Sequence, residues 1–271
     1  MKKHRIGIIL LLVGVLMLSF TGCLDRLTAQ KTEPSVIPLP TEITAAESLP
    51  TETTMPVETT LETEPETNLV TVTDAYIDAR KVGTNTMCYH IPRINMPGDL
   101  ASGVNEKIYQ ELSGSLARYP YDENGFYIMD MTYVWGQRGD ILSILVEEDF
   151  SEGDYVTYYT YHVSTVTGQE VSVEEVYNVF GITEADYYST VKTVAENYYD
   201  RSGMLEYTPV EIVQQTFTDL NIANSKPAIG KNGELVFSLM IYTPAGSGES
   251  TMLFSADGND MRGYTDCQVH Y

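Results

Sequence analysis

Three cysteines, four histidines and one tryptophan in 271 residues leave little material for several kinds of chemistry. Three cysteines cannot build a disulfide-dense scaffold or a four-cysteine zinc site. His90, His162 and His270 are too dispersed for a metal signature. Basic residues are scarce as well: 16 Lys and Arg stand against 38 Asp and Glu, a net charge of -22. Such a chain lacks the basic stripe that nucleic acid requires, so no nucleic-acid partner is expected. No G-x-S-x-G, H-E-x-x-H, P-loop or C-x-x-C motif occurs, and no cofactor is called for. Ser189-Thr190-Val191-Lys192 matches S-x-x-K, but no S-D-N or K-T-G accompanies it and it reads as a solvated helix face. These absences point to a protein that is not an enzyme.

What is present begins with an address. Lys2, Lys3 and Arg5 precede an uncharged apolar run from Ile6 to Phe20, and Thr21-Gly22-Cys23 follow. The run is shorter than the ~20 residues that span a bilayer and has the length of a signal-peptide core. Small residues before a cysteine at this point resemble the lipobox of bacterial lipoproteins. The resemblance implies cleavage after residue 22 and acylation of Cys23, which anchors the chain by lipid on the outer face of the bacterial cell membrane. The alternative is an uncleaved membrane anchor; both place the remainder outside the cytoplasm.

Residues 23–69 read as a disordered tether. Between residues 31 and 70 there are ten Thr, eight Glu and six Pro, without an aromatic residue or a glycine. That composition cannot bury enough apolar surface to offset chain entropy, and Pro with self-repelling Glu favours extended chain. Fully extended at about 3.1 Å per residue, it would reach on the order of 100 Å. Its threonines also permit glycosylation.

Beyond residue 70 lie all 20 tyrosines and the tryptophan, and 29 acidic residues against 11 basic. The patterning there predicts a single α+β domain over 70–271, mainly antiparallel sheet with inserted helices. Strands are expected over 70–77, 86–91, 155–165, 235–242 and 251–255, with a hairpin formed by 126–135 and 141–147. Asp99 is expected to cap a helix carrying Leu100, Val104, Ile108 and Leu112. Ser172 with Glu175, Thr183, and Thr208-Pro209-Val210-Glu211 read as further helix starts. The last of these is expected to open a helix bearing Val210, Val213, Phe217 and Leu220 on one face.

Ile91-Pro92-Arg93-Ile94-Asn95, followed by Val104-Asn105-Glu106-Lys107-Ile108-Tyr109, resembles the start of the domain of unknown function 4163 family. The stretch from Thr167 to Val176, Asn232 to Phe237, and Ile241-Tyr242-Thr243-Pro244 resemble the partner 3298 family. The resemblance would cover 70–150 and 151–256 respectively. This tandem occurs in the extracellular part of a lysozyme-sensing anti-sigma factor and ahead of the catalytic domain of a peptidoglycan deacetylase. With no cytoplasmic anti-sigma segment and no deacetylase domain in the chain, neither activity is expected here. The resemblance implies a non-catalytic cell-envelope binding or sensing module for a lysozyme-like protein or wall glycan. A peptidoglycan-active enzyme or its accessory, and a structural envelope lipoprotein, are the alternatives.

Two features nominate a surface. Glu147, Glu148, Asp149, Glu152 and Asp154 crowd five carboxylates into eight residues, read as a strand end and loop. They would form either a docking patch for a cationic partner or a solvated loop. Tyr155 and Tyr159 beside them suit either sugar stacking or packing. Cys88 and Cys267 remain after Cys23 takes lipid, as a disulfide or as two separate buried thiols. Arg138-Gly139-Asp140 and Asp257-Gly258-Asn259-Asp260 read as turns rather than as adhesion or calcium motifs.

Overall fold

A computed structural model describes residues 70–82, 85–123, 125–151, 155–244 and 248–265. The signal run, Cys23, the tether, Glu152, Asp154 and Cys267 lie outside these residues. The described chain is α+β.

A five-stranded sheet comes first, in the order β1 (Thr71–Val82), β2 (Asn85–Asn95), β3 (Ile128–Arg138), β4 (Ile141–Phe150), β5 (Val156–Ser164). Neighbours pair antiparallel except β2 and β3, which run parallel and pair at Cys88–Asp130 and Tyr89–Met131. That parallel step needs a crossover, supplied by α1 (Ser102–Arg118). Val104, Ile108 and Leu112 on α1 bury against Tyr89, Met131 and Ile144 of the sheet. The expected cap is not used: Asp99 sits at φ 55° in a 3-10 turn, Ala101 precedes the helix without a side-chain bond, and Leu100 is exposed.

The second half contributes α2 (Val173–Phe180), α3 (Glu184–Ser202), α4 (Val210–Thr216) and α5 (Asp219–Ala223). A three-stranded antiparallel sheet follows, β6 (Lys226–Ile229), β7 (Leu235–Tyr242) and β8 (Glu249–Ser255). Capping boxes start α2 at Ser172 with Glu175 and α3 at Thr183 with Asp186. Strand alternation gives the sheet two apolar faces. One carries Phe237, Leu239 and Phe254 against Tyr187, Val191 and Tyr199 of α3. The other carries Ala228, Val236 and Leu253 against Val134, Leu145 and Tyr158 of the first sheet. The layers are therefore helix, sheet, sheet, helices.

The two sheets touch through backbone at one point. A Cβ on Gly136 would stand 1.8 Å from the Gly230 carbonyl oxygen, so only glycine fits at that position of β3. Arg138 ties the same corner. Its Nε donates to the Val179 carbonyl at 2.9 Å, an Nη donates to the Gly233 carbonyl at 3.1 Å, and the guanidinium lies over the Phe180 ring. The Arg-Gly-Asp arginine thus holds the two layers together.

Candidate functional site

β4 extends to Phe150, so the three consecutive acids lie inside a strand rather than in a loop, and alternation sends them to opposite faces. Glu147 and Asp149 face the second sheet. Glu148 faces α1 and is 1% exposed, so it belongs to no surface patch. The Tyr159 hydroxyl donates to Glu148 Oε2 at 3.0 Å, while Oε1 has no partner. Burial raises the Glu148 pKa above the usual carboxylate range, against bonds from Ser115 and Tyr159 that lower it. Burial likewise pushes the half-buried Tyr159 up to about 12. Tyr155 is exposed and meets the edge of Phe126. Of the sequence-predicted patch, the described structure brings Glu147 and Asp149 together on the face toward the second sheet, and joins Glu148 to Tyr159 on the face toward α1.

Those two line a groove of about 650 Å³ between the sheets, with Tyr158 from β5, Tyr198 from α3, Tyr207 and Thr208 from the following loop, and Arg262. The Thr265 hydroxyl donates to Glu147, which also bonds the Tyr158 hydroxyl. Burial first, then the Glu147 charge, raises the Tyr158 pKa, so this phenol stays protonated as a donor. Arg262 is paired with Asp260 at 2.7 Å. The Tyr198 ring packs edge-on against Phe254, which fixes its orientation. Tyr207 is 75% exposed, an aromatic face offered to solvent at the groove wall. Thr208 is buried, yet its hydroxyl has no hydrogen-bond partner. The groove thus pairs carboxylate acceptors with aromatic faces, in the size range of small-ligand sites, and the buried Thr208 hydroxyl lies beneath its lining.

Thr208 was expected to cap a helix through Glu211. Instead Pro209 holds the cap position and makes no side-chain bond, leaving the Thr208 hydroxyl one residue too early to meet an N–H. The helix expected across 210–220 breaks at Phe217, and Thr218 caps α5 separately, which leaves Val210 and Leu220 exposed.

Other candidates resolve into structure. His162 is buried, with Nδ1 2.9 Å from the Ser143 hydroxyl and Nε2 unpartnered; burial lowers its pKa to about 4. The pair has nucleophile–base chemistry, but Ser143 is 0% exposed and no substrate reaches it. Lys192 of the S-x-x-K stretch reaches Asp219 at 3.4 Å. Asp257 accepts bonds from Ser255 and Asn259 within its own turn. Cys88 is disulfide-bonded, and its partner lies outside the described residues. Among the described residues no three His, Cys, Asp or Glu side chains gather to hold a metal ion. No helix among them is long and apolar enough to cross a membrane.

Compared with protein-family models the chain matches none, and no curated protein matches it.

Proposed function

We propose that the chain is a lipid-anchored extracytoplasmic protein whose domain binds cell-wall glycan, without catalysis, in the groove between its two sheets. The observation that carries this reading is the groove itself. It has the volume of a small saccharide site, and the exposed Tyr207 and the carboxylates Glu147 and Asp149 are among its lining residues. Sugars present apolar ring faces and a rim of hydroxyl donors, which match aromatic rings and carboxylate acceptors. The lipobox-like Cys23 and the Thr/Glu/Pro-rich stretch support an anchored domain held out from the membrane. The resemblance to the 4163 and 3298 families supports the same location.

A lysozyme-like cationic protein is the second reading. It is favoured by the 29 acidic residues against 11 basic beyond residue 70. The test is co-sedimentation of the full-length chain, in detergent micelles, with purified peptidoglycan, alongside a soluble wall disaccharide-peptide and lysozyme. The glycan reading expects saturable binding of both wall ligands, weakened about tenfold or more by Tyr207→Ala. Binding to lysozyme alone, abolished by salt, would replace it with the second reading. Release of soluble sugar or acetate would make the protein an enzyme. Labelling with a fatty acid tests the anchor: the label is expected on the wild type and lost in Cys23→Ala.

A further inference from the structure

The groove does not stand alone between the sheets. Val156 and Tyr158 of β5 and Thr251 of β8 line it, and the same three residues line a second space of about 350 Å³, so the two adjoin across these strands. Leu220 and Asn221 of α5 and Lys226 of β6 belong to the lining of the second space. Leu220, left exposed where the helix breaks at Phe217, therefore borders a cavity. The Asn221 side-chain amide donates to the Thr216 and Met240 carbonyls at 2.8 and 2.9 Å, which fixes α5 against β7.

The two spaces differ in charge. Glu147 and Asp149 line the groove, whereas Lys226 is the one charged residue in the described lining of the second space. Lys226 opens β6 two residues before Ala228, so alternation turns it toward the first sheet. Its ammonium donates to the Tyr158 carbonyl on edge strand β5 and lies 5.4 Å from the centre of the Tyr159 ring. Lysine has three donors, and this carbonyl is the acceptor described for it. Lys107 and Lys192 reach the carboxylates of Glu170 and Asp219, but among the described residues none pairs with Lys226. Burial lowers its pKa, and the charges of Glu111 and Glu148 act against that. An ordinary lysine titrates about three units above neutral pH, so the group is an ammonium there. A half-buried cation without a paired anion costs free energy, and it persists in a chain of net charge -22 that has carboxylates in excess. Asn224 and Thr157 line the same space and add an amide and a hydroxyl as further donors.

We infer that this second space is an anionic subsite of the same cleft, where Lys226 receives a carboxylate of the wall ligand. The inference rests on the glycan reading of the groove and adds a direction to it. Glu147 and Asp149 repel a carboxylate at one end and the ammonium attracts it at the other, so the ligand lies in one orientation. A single ammonium matches the single charge of a carboxylate better than the double charge of a phosphate. Wall glycan carries carboxylates in two places: on the acid side chain of its muramic sugar where no peptide is attached, and on the stem peptide.

The experiment titrates the full-length chain in detergent micelles with three soluble probes. They are a neutral N-acetylglucosamine oligosaccharide, a peptide-free wall disaccharide bearing the sugar carboxylate, and the wall disaccharide-peptide. Wild type is expected to bind a carboxylate-bearing probe about tenfold more tightly than the neutral one, and the preferred probe identifies the source of the carboxylate. Raised salt should shrink that preference. Lys226→Met keeps the apolar stem and removes the charge, and should bring the preferred probe down to the affinity of the neutral one. Converting the carboxylate of that probe to a carboxamide should cost wild type the same factor, a comparison that does not depend on how the variant folds. Equal affinity of wild type for neutral, carboxylate and carboxamide probes would overturn the inference and leave the glycan reading standing. So would a carboxylate preference that persists in Lys226→Met. A wild type that binds no probe and does not sediment with peptidoglycan would overturn both.

Discussion

The buried tyrosines of the two halves solve the same problem differently. In the first sheet four hydroxyls meet carboxylates, Tyr158 with Glu147, Tyr159 with Glu148, Tyr161 with Glu111 and Tyr133 with Asp74, while Tyr89 donates to the Ile128 carbonyl. In the second half the two fully buried tyrosines meet neutral groups, Tyr187 donating to Ser225 and Tyr199 bonding Thr216 and the Tyr242 carbonyl, while the half-buried Tyr264 donates to Glu234. A buried hydroxyl needs a partner in either case. A neutral partner works alike at every pH. A carboxylate is the stronger acceptor when ionised, but burying its charge carries a desolvation cost. The acidity of this chain is therefore built mainly into one half of its core as well as spread over its surface, and that half should carry most of the pH response of the fold.

The largest effect tests the pH-silent half. Tyr187 is 0% exposed and packs on Tyr177 and Phe237. Tyr187→Ala should lose about 3–5 kcal/mol in urea unfolding, the range for a large aromatic core truncation. The loss should be equal at pH 4 and pH 7, since Ser225 retains its bond to the Ile222 carbonyl. A loss that varied with pH would break the division between the halves.

Next in size is His162, in the first sheet. Its folded pKa is lowered to about 4, from an unfolded value near 6.5. The neutral form is favoured in the fold, so this contribution is fully present above pH 6.5 and is lost as pH falls toward 4. The shift corresponds to roughly 3 kcal/mol. His162→Gln should remove that slope, with the difference between variant and wild type changing progressively over the window. A constant difference would mean that the imidazole titrates alike in the folded and unfolded states.

Glu148→Gln should act in the opposite sense and more weakly. The folded pKa of Glu148 is raised, so the folded state holds its proton longer than the unfolded chain does. Wild type then loses stability as pH rises from the unfolded carboxylate range through the raised value. Gln removes the buried charge and should stabilise by about 1 kcal/mol at pH 7, a gain that closes on acidification. Stability curves at stepped pH separate it from His162, because the two slopes have opposite sign.

The local parts of this fold were legible in sequence and the assembled parts were not. Ser172 with Glu175 and Thr183 at its helix start are three-residue patterns whose partners lie within one turn, and both cap as expected. Strands β1, β2, β5, β7 and β8 followed alternation or apolar runs. β6 was missed because four residues containing Pro227 carry no period of their own; it exists by pairing with β7 and packing on the first sheet. The run Glu147-Glu148-Asp149 was legible as charge but not as geometry, since adjacency in a strand means opposite faces. Groove residues from β4, β5, α3, the 204–208 loop and β8 share no spacing that a sequence window would reveal.

Thr208 gives the smallest effect and the finest test, because sequence reading assigned it a cap that the fold does not use. Its buried hydroxyl has no partner, so it weakens the fold slightly. Thr208→Val keeps the shape and removes the hydroxyl, which should leave stability unchanged or raise it by up to about 1 kcal/mol. If that hydroxyl is held for a ligand in the groove, the same substitution should weaken glycan binding several-fold while the fold gains. Stability and affinity would then move in opposite directions, as they do when a site carries an unsatisfied group for its ligand. Titration of wild type and Thr208→Val with the soluble wall fragment, beside their urea curves, measures both. Equal affinity with raised stability would mark the hydroxyl as a leftover of the broken helix start and move the ligand toward Tyr207 and Asp149.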